Sequence, residues 1–244
     1  MRIAHALATA GLGSRRKCEV FVVNGAVTVN GEVVRDLGRQ VDFTKDTIAY
    51  RGKILEASPS VYYVLNKPEG YVVTAQDAHA KKTVYDLLPR QLVNATRQGA
   101  RGKVRVFPVG RLDKDSMGIL LLTNDGELSH RLLHPRYHVE KWYEVTLDRA
   151  WHPEDTGKVI AGFHAFDGLL KLEQVRPISR RRLLVQLREG KKRQIRRVFK
   201  KFGYEVVTLM RISFGPIKLG GLRPGEGRFL TSFESKELRK AAGL

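Results

Sequence analysis

The loop from Gly110 to Asp115 holds the strongest candidate for chemistry in this sequence. It is basic, it is punctuated by glycine, and it leads into the almost purely aliphatic run Gly118–Leu122. Such a run is typical of a buried strand, so the carboxylate of Asp113 would stand just before a strand of the core. A carboxylate in this position is a candidate for acid–base or nucleophilic chemistry. From the residues alone, however, an ion-paired loop residue is the more common role for such an aspartate.

The pattern Asp113-Lys114-Asp115 also resembles the opening of a calcium-binding loop. In such a loop the fifth position supplies an oxygen ligand and the twelfth supplies a bidentate glutamate. These two positions are Met117 and Asn124 in this sequence. We therefore expect no calcium site.

Three histidines, His130, His134 and His138, stand at intervals of four and would line one face of a continuous helix. Pro135 ends such a helix near His134, which takes His138 off that face. We therefore expect no zinc site and no other metal.

Two further motifs are weaker. The run Gly11-Leu12-Gly13 lacks the preceding strand and the third glycine of a dinucleotide-binding loop. Cys18 falls in a predicted helix that would pack and contact phosphate, which is not the setting of a nucleophile. The sequence therefore predicts no cofactor.

The charge of the chain indicates a polyanionic partner. Lys and Arg number 44 against 25 Asp and Glu, which gives a formal net charge of +19. The segment Arg176–Lys201 holds twelve basic residues and the single acid Glu189. Clustered cations release counterions from a phosphate backbone, so this cluster favours nucleic acid over a merely solvated basic surface. The helix expected here would bury Ile195, Val198, Phe199 and Phe202 and would project Arg193, Arg196 and Arg197 into a cleft.

The composition is that of a folded protein. The 244 residues are 42% hydrophobic and 8% aromatic, which excludes wholesale disorder and a collagen-like repeat. A single cysteine can form neither an internal disulfide nor a thiolate zinc site, and it favours a reducing compartment. The sequence shows no signal peptide and no apolar run of membrane-spanning length. We therefore expect a soluble, cytoplasmic protein.

Two helices and a hairpin are predicted near the N-terminus. Apolar residues at helical spacing open the chain, and Ser14 is typical of the N-cap of a second helix, which carries basic residues. The pair Asn30-Gly31 between two valine-rich runs predicts a tight β-hairpin, because both central residues of its turn need positive φ. A further strand is expected at Ile48–Tyr50, and the polar segment Glu56–Ser60 is expected to be a linker.

The rest of the chain is predicted to be mixed α+β. The segment Leu92–Arg105 contains four basic residues and no acid, which predicts a mobile basic loop. The expected strands are Val61–Leu65, Gly118–Leu122, Trp142–Leu147 and Leu183–Leu187, and the expected helices are Glu127–Leu133 and Arg193–Phe202.

Four blocks of the sequence together resemble the RsuA-type (RsuA/RluB-like) ribosomal RNA pseudouridine synthases, and the resemblance covers almost the whole chain. The blocks are Lys67–Gly70, Gly110–Gly126, Lys141–Val145 and Glu189–Arg197. Most of them are weak alone, but in this order they are highly specific. The first unit is similar to the RNA-binding domain named after ribosomal small-subunit protein four. The resemblance implies a small helix-helix-hairpin RNA-binding domain at residues 1–57 and a mixed, largely antiparallel-sheet catalytic domain at residues 61–244.

The resemblance also implies a reaction and its residues. A uracil is detached at N1, turned within the pocket and rejoined through C5, which makes pseudouridine without a cofactor. Asp113 would be the essential carboxylate, either attacking the anomeric carbon of the sugar or acting as a base at its 2′ position. Arg196 would pair with Asp113 and keep it ionised, with Arg193 as the second choice. Tyr143 would stack on the target base and assist removal of the C5 proton, and Arg111 would fill the space left by the flipped base.

The implied partner is ribosomal RNA in a structured stem-loop, with 23S RNA favoured over 16S RNA, and nothing in the sequence requires more than a monomer. The sequence departs from the family at Lys17, Cys18 and Met117, which leaves the implied chemistry untouched. The residues expected to contact RNA are Arg15, Arg16, Lys17, Arg111, Lys191, Lys192, Arg193 and Arg197.

Two other functions are consistent with parts of the sequence. A non-catalytic RNA-binding ribosome-assembly factor would share the fold, although the presence of Asp113, Tyr143 and Arg196 together argues against it. A metal-dependent nuclease would use Asp113, Asp115 and Asp125. Activity that is insensitive to chelators would exclude the nuclease.

Overall fold

The computed structural model describes residues 1–74, 81–92 and 105–244. Two compact units are formed. The first is built on residues 1–61 with 88–92, 105–107 and 123–126, and the second on residues 62–74, 81–87, 108–122 and 127–244. Most of the segment predicted as a mobile basic loop lies outside the described residues. No helix in the described ranges is both long enough and apolar enough to cross a membrane.

The first unit opens with two helices, α1 (Ile3–Thr9) and α2 (Arg15–Val23). The Ser14 hydroxyl accepts a hydrogen bond from the Lys17 backbone N–H at 3.3 Å, so Ser14 is the N-cap that the sequence predicts. A four-stranded sheet follows in the order β2-β1-β3-β4, and its core is shared with both helices. Its strands are β1 (Val27–Val29), β2 (Glu32–Val33), β3 (Ile48–Tyr50) and β4 (Lys53–Ile54).

The hairpin predicted from Asn30-Gly31 is confirmed. The two residues have φ values of 54° and 87°, and the flanking strands are antiparallel with Val29 opposite Glu32. Positive φ at both central positions matches the turn to the twist of the strands. This local signal was therefore sufficient to predict the hairpin.

The remaining elements mainly build the second unit. The strands are β5 (Tyr62–Lys67), β6 (Phe107–Pro108), β7 (Met117–Thr123), β8 (Lys141–Leu147), β9 (Phe163–Ala165), β10 (Gly168–Leu170), β11 (Gln174–Pro177), β12 (Arg182–Leu187), β13 (Val206–Phe214), β14 (Ile217–Lys218) and β15 (Gly227–Phe229). The helices are α3 (Gly126–Leu133), α4 (Thr156–Ala161), α5 (Gln194–Lys201) and α6 (Ser232–Ala241). Short 3-10 helices span Val84–Leu87, Pro135–Tyr137 and Pro153–Asp155.

A nine-stranded mixed sheet is the framework of the second unit. Its order is β11-β12-β8-β13-β7-β5-β15, with β14 beside β13 and β6 beside β7. Strand β13 is parallel to β7, whereas it is antiparallel to β8, and the pairs β8–β12, β11–β12 and β5–β15 are also antiparallel. The predicted α+β class with a largely antiparallel sheet is confirmed.

The predicted end of the histidine-bearing helix is also confirmed. Helix α3 ends at Leu133, and the next residue, His134, caps the short 3-10 helix that begins at Pro135. His138 follows with a positive φ of 52°. The proline thus separates the third histidine from the other two, as its missing N–H and fixed φ require.

Helix α6 is fixed to the strand before it by a charged cap. The Thr231 hydroxyl accepts from the Glu234 backbone N–H, and the Glu234 carboxylate accepts from the Thr231 backbone N–H. The Arg228 guanidinium donates two hydrogen bonds of 2.7 Å to Glu234. These bonds are the main cause that lowers the pKa of Glu234 to about 2. Strand β15 and helix α6 are therefore joined by one carboxylate.

The parallel pairing of β7 with β13 requires glycine at position 118. Gly118 lies opposite Arg211 and has a φ of +101°. A Cβ at this position would lie 2.2 Å from the carbonyl oxygen of Arg211 and 2.6 Å from its backbone nitrogen. Backbone atoms cannot move away as a flexible side chain can, so β7 makes this close approach only because residue 118 has no Cβ.

Gly118→Ala is expected to be strongly destabilising. The clash with the backbone of Arg211 and the positive φ should together lower the free energy of unfolding by more than about 3 kcal/mol. Gly157→Ala is the matched control, since Gly157 lies in α4 and nothing stands within 4 Å of an added Cβ. That variant should gain up to about 1 kcal/mol from the better helix propensity of alanine. Urea unfolding measures both, and a Gly118→Ala protein as stable as wild type would contradict the close approach.

Candidate active site

One cavity of about 590 Å³ collects side chains from separate segments of the second unit. The turn before β7, strand β8 and the residues that lead into α5 all contribute to its lining. Apolar side chains that line it are Val72, Val73, Leu112, Leu187, Ile195 and Leu209. The predicted site residues that line it are Arg111, Asp113, Tyr143, Lys191, Lys192 and Arg193.

The turn that carries Asp113 is held by its backbone carbonyl groups. The carbonyl of Asp113 accepts from the Ser116 N–H at 3.1 Å, and the carbonyl of Lys114 accepts from the Gly70 N–H at 2.8 Å. The carbonyl of Ser116 accepts from the Lys67 ammonium at 2.6 Å. Because each of these oxygens has a partner, the turn has little freedom to change its backbone conformation.

Lys67 is the internal support of this turn. It lies at the end of β5 and is fully buried, and its Nζ donates to the carbonyls of Ser116 at 2.6 Å and Lys114 at 3.4 Å. Burial lowers the pKa of Lys67 to about 8, against the opposing charges of Asp115 and Asp113. A buried ammonium that binds carbonyl oxygens fixes the segments that supply them. The sequence placed Lys67 in a motif but gave it no role at the site.

A second support reaches the turn from α5 through Asp115. Arg193 donates to both carboxylate oxygens of Asp115, at 3.2 and 2.9 Å. Arg196 donates to the Asp115 carbonyl at 2.9 Å, and its Nη2 lies 3.4 Å from the Asp115 carboxylate. Partial burial opposes ionisation of Asp115, but the hydrogen bonds from Arg193 and the charge of Arg196 hold its pKa below the ordinary value.

The predicted ion pair between Arg196 and Asp113 is therefore corrected. Both arginines named as partners of Asp113 bind Asp115 instead. The physical reason is the turn itself, which brings Asp115 to the first turn of α5 and leaves the Asp113 side chain at the cavity. Arg196 thus positions the turn and does not contact the proposed catalytic carboxylate.

The carboxylate of Asp113 is available to a molecule in the cavity. Within residues 1–74, 81–92 and 105–244, it makes no hydrogen bond and no ion pair. It is close enough to Lys67 and Arg193 for its charge to favour their protonated forms. A carboxylate that faces two cations without being bound by either can act on a substrate.

Tyr143 is brought to the cavity by the register of the sheet. Strand β8 alternates buried and partly buried side chains, and Tyr143 is on its buried face. Tyr143 lies opposite Arg211 of β13, which lies opposite Gly118 of β7. Two strand spacings are about 10 Å. Tyr143 therefore lies about 10 Å from the start of β7, which directly follows the Asp113 turn. The Arg211 Nε bond to the Ile119 carbonyl, at 2.7 Å, ties β13 to β7 there.

Comparison with known proteins identifies the family of the chain. A model of the RNA pseudouridylate synthase family matches residues 61–201, and a model of the S4 domain matches residues 1–48. The chain belongs to the RNA pseudouridine synthase family. The resemblance found in the sequence is confirmed, and members of this family are isomerases.

Relatives of this RNA pseudouridine synthase span its whole length. An RNA pseudouridine synthase of Aquifex aeolicus is 38% identical over 249 residues, which cover 100% of this chain and 96% of that protein. The ribosomal large subunit pseudouridine synthase B of Bacillus subtilis is 36% identical, with 99% of this chain and 96% of that protein covered. A crystal structure of a pseudouridylate synthase superposes with a TM-score of 0.68 at 28% identity, covering 98% of this chain and 99% of that one.

Not every basic residue predicted for the site of this synthase lies there. Arg197 forms a bidentate pair with Asp167, at 2.7 and 2.8 Å, which corrects the expectation that it projects into the cleft. Asp167, which neutralises the charge of Arg197, lies in the loop of the β9–β10 hairpin. The sequence analysis did not predict this hairpin, although Asp167-Gly168 is a hairpin signal.

In the first unit, Arg15, Arg16 and Lys17 are exposed on the first turn of α2.

The groups considered for metal and nucleophilic chemistry have other roles in the synthase. The described residues contain no group of three or more His, Cys, Asp or Glu side chains that could hold a metal ion. Asp115, one of the three aspartates of the nuclease hypothesis, is bound by two arginines. Cys18 is buried, and burial raises the pKa of its thiol to about 11, so no reactive thiolate forms near neutral pH.

Lys67→Met is expected to lower turnover more than it lowers stability. Methionine fills a similar volume but has no donor, so the Asp113 turn loses its internal support. A displacement of about 1 Å at a reacting group costs on the order of 100-fold in rate, and we expect kcat to fall by that factor with KM little changed. The loss of a buried charge offsets part of the lost hydrogen bonding, so unfolding should change by less than about 2 kcal/mol.

Release of tritium from C5 of labelled uridine in ribosomal RNA measures turnover, and urea unfolding measures stability. Lys218→Met, at an exposed lysine of β14, is the matched control and should leave both unchanged. Wild-type kcat in the Lys67→Met protein would show that the buried ammonium does not position the turn.

Proposed function

We propose that this protein converts one uridine of ribosomal RNA, in the 23S RNA of the large subunit, to pseudouridine, with Asp113 as the essential carboxylate. The observation that carries the proposal is that Asp113 and Tyr143 line one cavity, with Asp113 on a turn supported from both sides. Relatives from Bacillus subtilis and Pseudomonas aeruginosa named as ribosomal large subunit synthases support the choice of RNA.

The proposed reaction exchanges one glycosidic bond for another. The N1–C1′ bond of the uridine breaks, the uracil turns, a C5–C1′ bond forms, and the proton from C5 leaves to water. Asp113 acts at the sugar, either as the nucleophile at C1′ or as the base at C2′, and both routes start from an ionised carboxylate. Tyr143 stacks on the uracil and assists removal of the C5 proton.

The target base must leave the RNA helix to reach this cavity. A volume of about 590 Å³ is within the range of small-ligand pockets, and it is large enough for one extruded nucleotide. Extrusion costs a few kcal/mol of stacking. Arg111 is exposed at the cavity and fills the space that the flipped base leaves in the RNA.

The first unit supplies binding that does not depend on the chemistry. Helix α2 begins at Arg15, and its unpaired backbone N–H groups add partial positive charge to the exposed side chains of Arg15, Arg16 and Lys17. We assign residues 1–57 to RNA binding and residues 61–244 to catalysis. The proposed substrate is a structured stem-loop of ribosomal RNA, and the protein binds it as a monomer. A substrate of this kind implies a cytoplasmic protein.

Asp113→Asn is expected to abolish pseudouridine formation while RNA binding is kept. An amide cannot act as the nucleophile or the base, so the rate should fall by at least about 1,000-fold. Affinity should persist, because phosphate contacts by other residues supply most of it. Carbodiimide-based pseudouridine mapping of ribosomal RNA, from cells with and without the protein, gives the readout after complementation with each variant.

Asp36→Asn, at an exposed aspartate of the first unit, is the control and should restore the signal as wild type does. Identical maps with and without the protein would overturn the proposed substrate. Restoration of the signal by Asp113→Asn would overturn the role assigned to this carboxylate. The non-catalytic assembly factor would then be the hypothesis to test, by measuring RNA binding.

Arg15→Gln with Arg16→Gln should weaken RNA binding and flatten its dependence on salt. Each lost contact to a single strand lowers the slope of log affinity against log salt by roughly 0.7, so two lost contacts should lower it by about 1.4. Arg149→Gln is the comparison, because Arg149 is exposed in the second unit and already pairs with Asp148 at 3.2 Å. Filter binding of ribosomal RNA between low and high salt measures the slope. An unchanged slope would show that Arg15 and Arg16 of α2 do not contact the RNA.

A further inference from the structure

Phe166 is the most exposed large hydrophobic residue in the described part of the chain. It is 93% exposed and stands in the two-residue loop that joins Ala165 of β9 to Gly168 of β10. Gly168 has a φ of +97°, so the glycine supplies the backbone conformation that this turn needs. The turn conformation itself does not require an aromatic residue at the tip.

A fixed cation lies against the Phe166 ring. The centre of the Arg197 guanidinium is 5.0 Å from the ring centroid. Arg197 cannot move freely, because Asp167 holds it with two hydrogen bonds and the Lys192 carbonyl accepts a third at 3.2 Å. The ring and the guanidinium therefore form a prepared surface of the kind on which nucleic-acid bases stack.

The hairpin is attached to the rim of the cavity by two side chains. Lys191, which lines the cavity, donates from Nζ to the Leu169 carbonyl at 2.7 Å. Gln194, which also lines it, donates to the Lys171 carbonyl at 2.9 Å. The hairpin that carries Phe166 is thus hydrogen-bonded, at its second strand and just after it, to two residues that line the cavity.

Single exposed apolar residues are common on protein surfaces and need no special explanation. Phe166 differs from such residues in three respects that act together: nearly complete exposure, an immobilised guanidinium at its ring, and an anchored hairpin beside a basic cavity. Aromatic rings in this setting recognise unpaired bases, because every base has a face that can stack.

We propose that the ring of Phe166 stacks on an unpaired base of the substrate RNA that lies next to the target uridine. This inference rests on the proposed function and adds a second recognition point to it. Arg197 stabilises the ring from beside it, and the hairpin sets the spacing between the stacked base and the flipped uridine. The hairpin thereby contributes to the choice of site.

Steady-state kinetics on 23S ribosomal RNA transcripts with uridine tritiated at C5 tests the proposal. Loss of one base–aromatic stack should lower kcat/KM of Phe166→Ala by about 5- to 100-fold, mainly through KM. Phe166→Trp should stay close to wild type, and Phe166→Leu should fall with the alanine variant, because leucine keeps apolar area but has no ring face. Phe233→Ala is the matched control, since Phe233 is also exposed, at 74%, and should remain at the wild-type value.

The alternatives give distinct results. Phe166→Ala within twofold of wild type, or full activity in Phe166→Leu, would overturn the stacking role while the enzyme stays active. Wild-type protein that releases no tritium from 23S or 16S transcripts would overturn the proposed function, and this inference with it. All variants should melt at the wild-type temperature, because an exposed ring contributes little to folding; a lowered melting temperature in Phe166→Ala would instead mark the ring as structural.

Discussion

The structure of the site depends on one buried ammonium group that is bound by backbone carbonyl oxygens. Lys67 reaches from the end of β5 beneath the turn that carries Asp113, and it is bound most closely by the Ser116 carbonyl at 2.6 Å. A lysine is rarely buried completely, because removing its charge from water is costly. Here the cost is visible as a lowered pKa, about 8. The turn offsets this cost, because its carbonyl oxygens replace the water molecules that the ammonium has lost.

The same turn is also held by Arg193 and Arg196. As a result, the two carboxylates of the turn, Asp113 and Asp115, have different roles. Asp115 is used for structure, bound by Arg193 and Arg196 from α5. Asp113 is left without such a bond in the described residues. Because Asp115 makes the ion pairs, neither carboxylate oxygen of Asp113 is committed to a structural bond in the described residues. Placing the ion pair two residues away keeps the turn rigid and keeps the proposed catalytic oxygen available.

Local signals in the sequence predicted local structure well. The positive φ of Asn30-Gly31 and the helix end before Pro135 both follow from the residues at those positions. The partner of Arg196 could not be predicted in this way, because Asp113 and Asp115 both precede β7 and only the three-dimensional turn decides which side chain meets α5. The support from Lys67 was missed for a related reason, since its main contact is 49 residues away along the chain.

The basic surplus of the chain divides into charges that hold the fold and charges that RNA can use. Arg197 and Asp167 are each only 25% exposed and share two short hydrogen bonds, so this pair is part of the structure. The pair Arg182–Glu144 is more exposed and its atoms are 3.4 Å apart.

An exposed pair of that kind is worth about 1 kcal/mol or less, so a phosphate can replace the carboxylate with little loss. Lys192 and Lys200 are exposed and, among the described residues, form no ion pair with a carboxylate. A phosphate can therefore bind them without breaking an existing ion pair. Counterion release depends on contacts to phosphate and not on composition. The number of charges that RNA meets in the Arg176–Lys201 segment is therefore smaller than the number of basic residues in it, because part of that charge already holds the hairpin and the Asp113 turn in place.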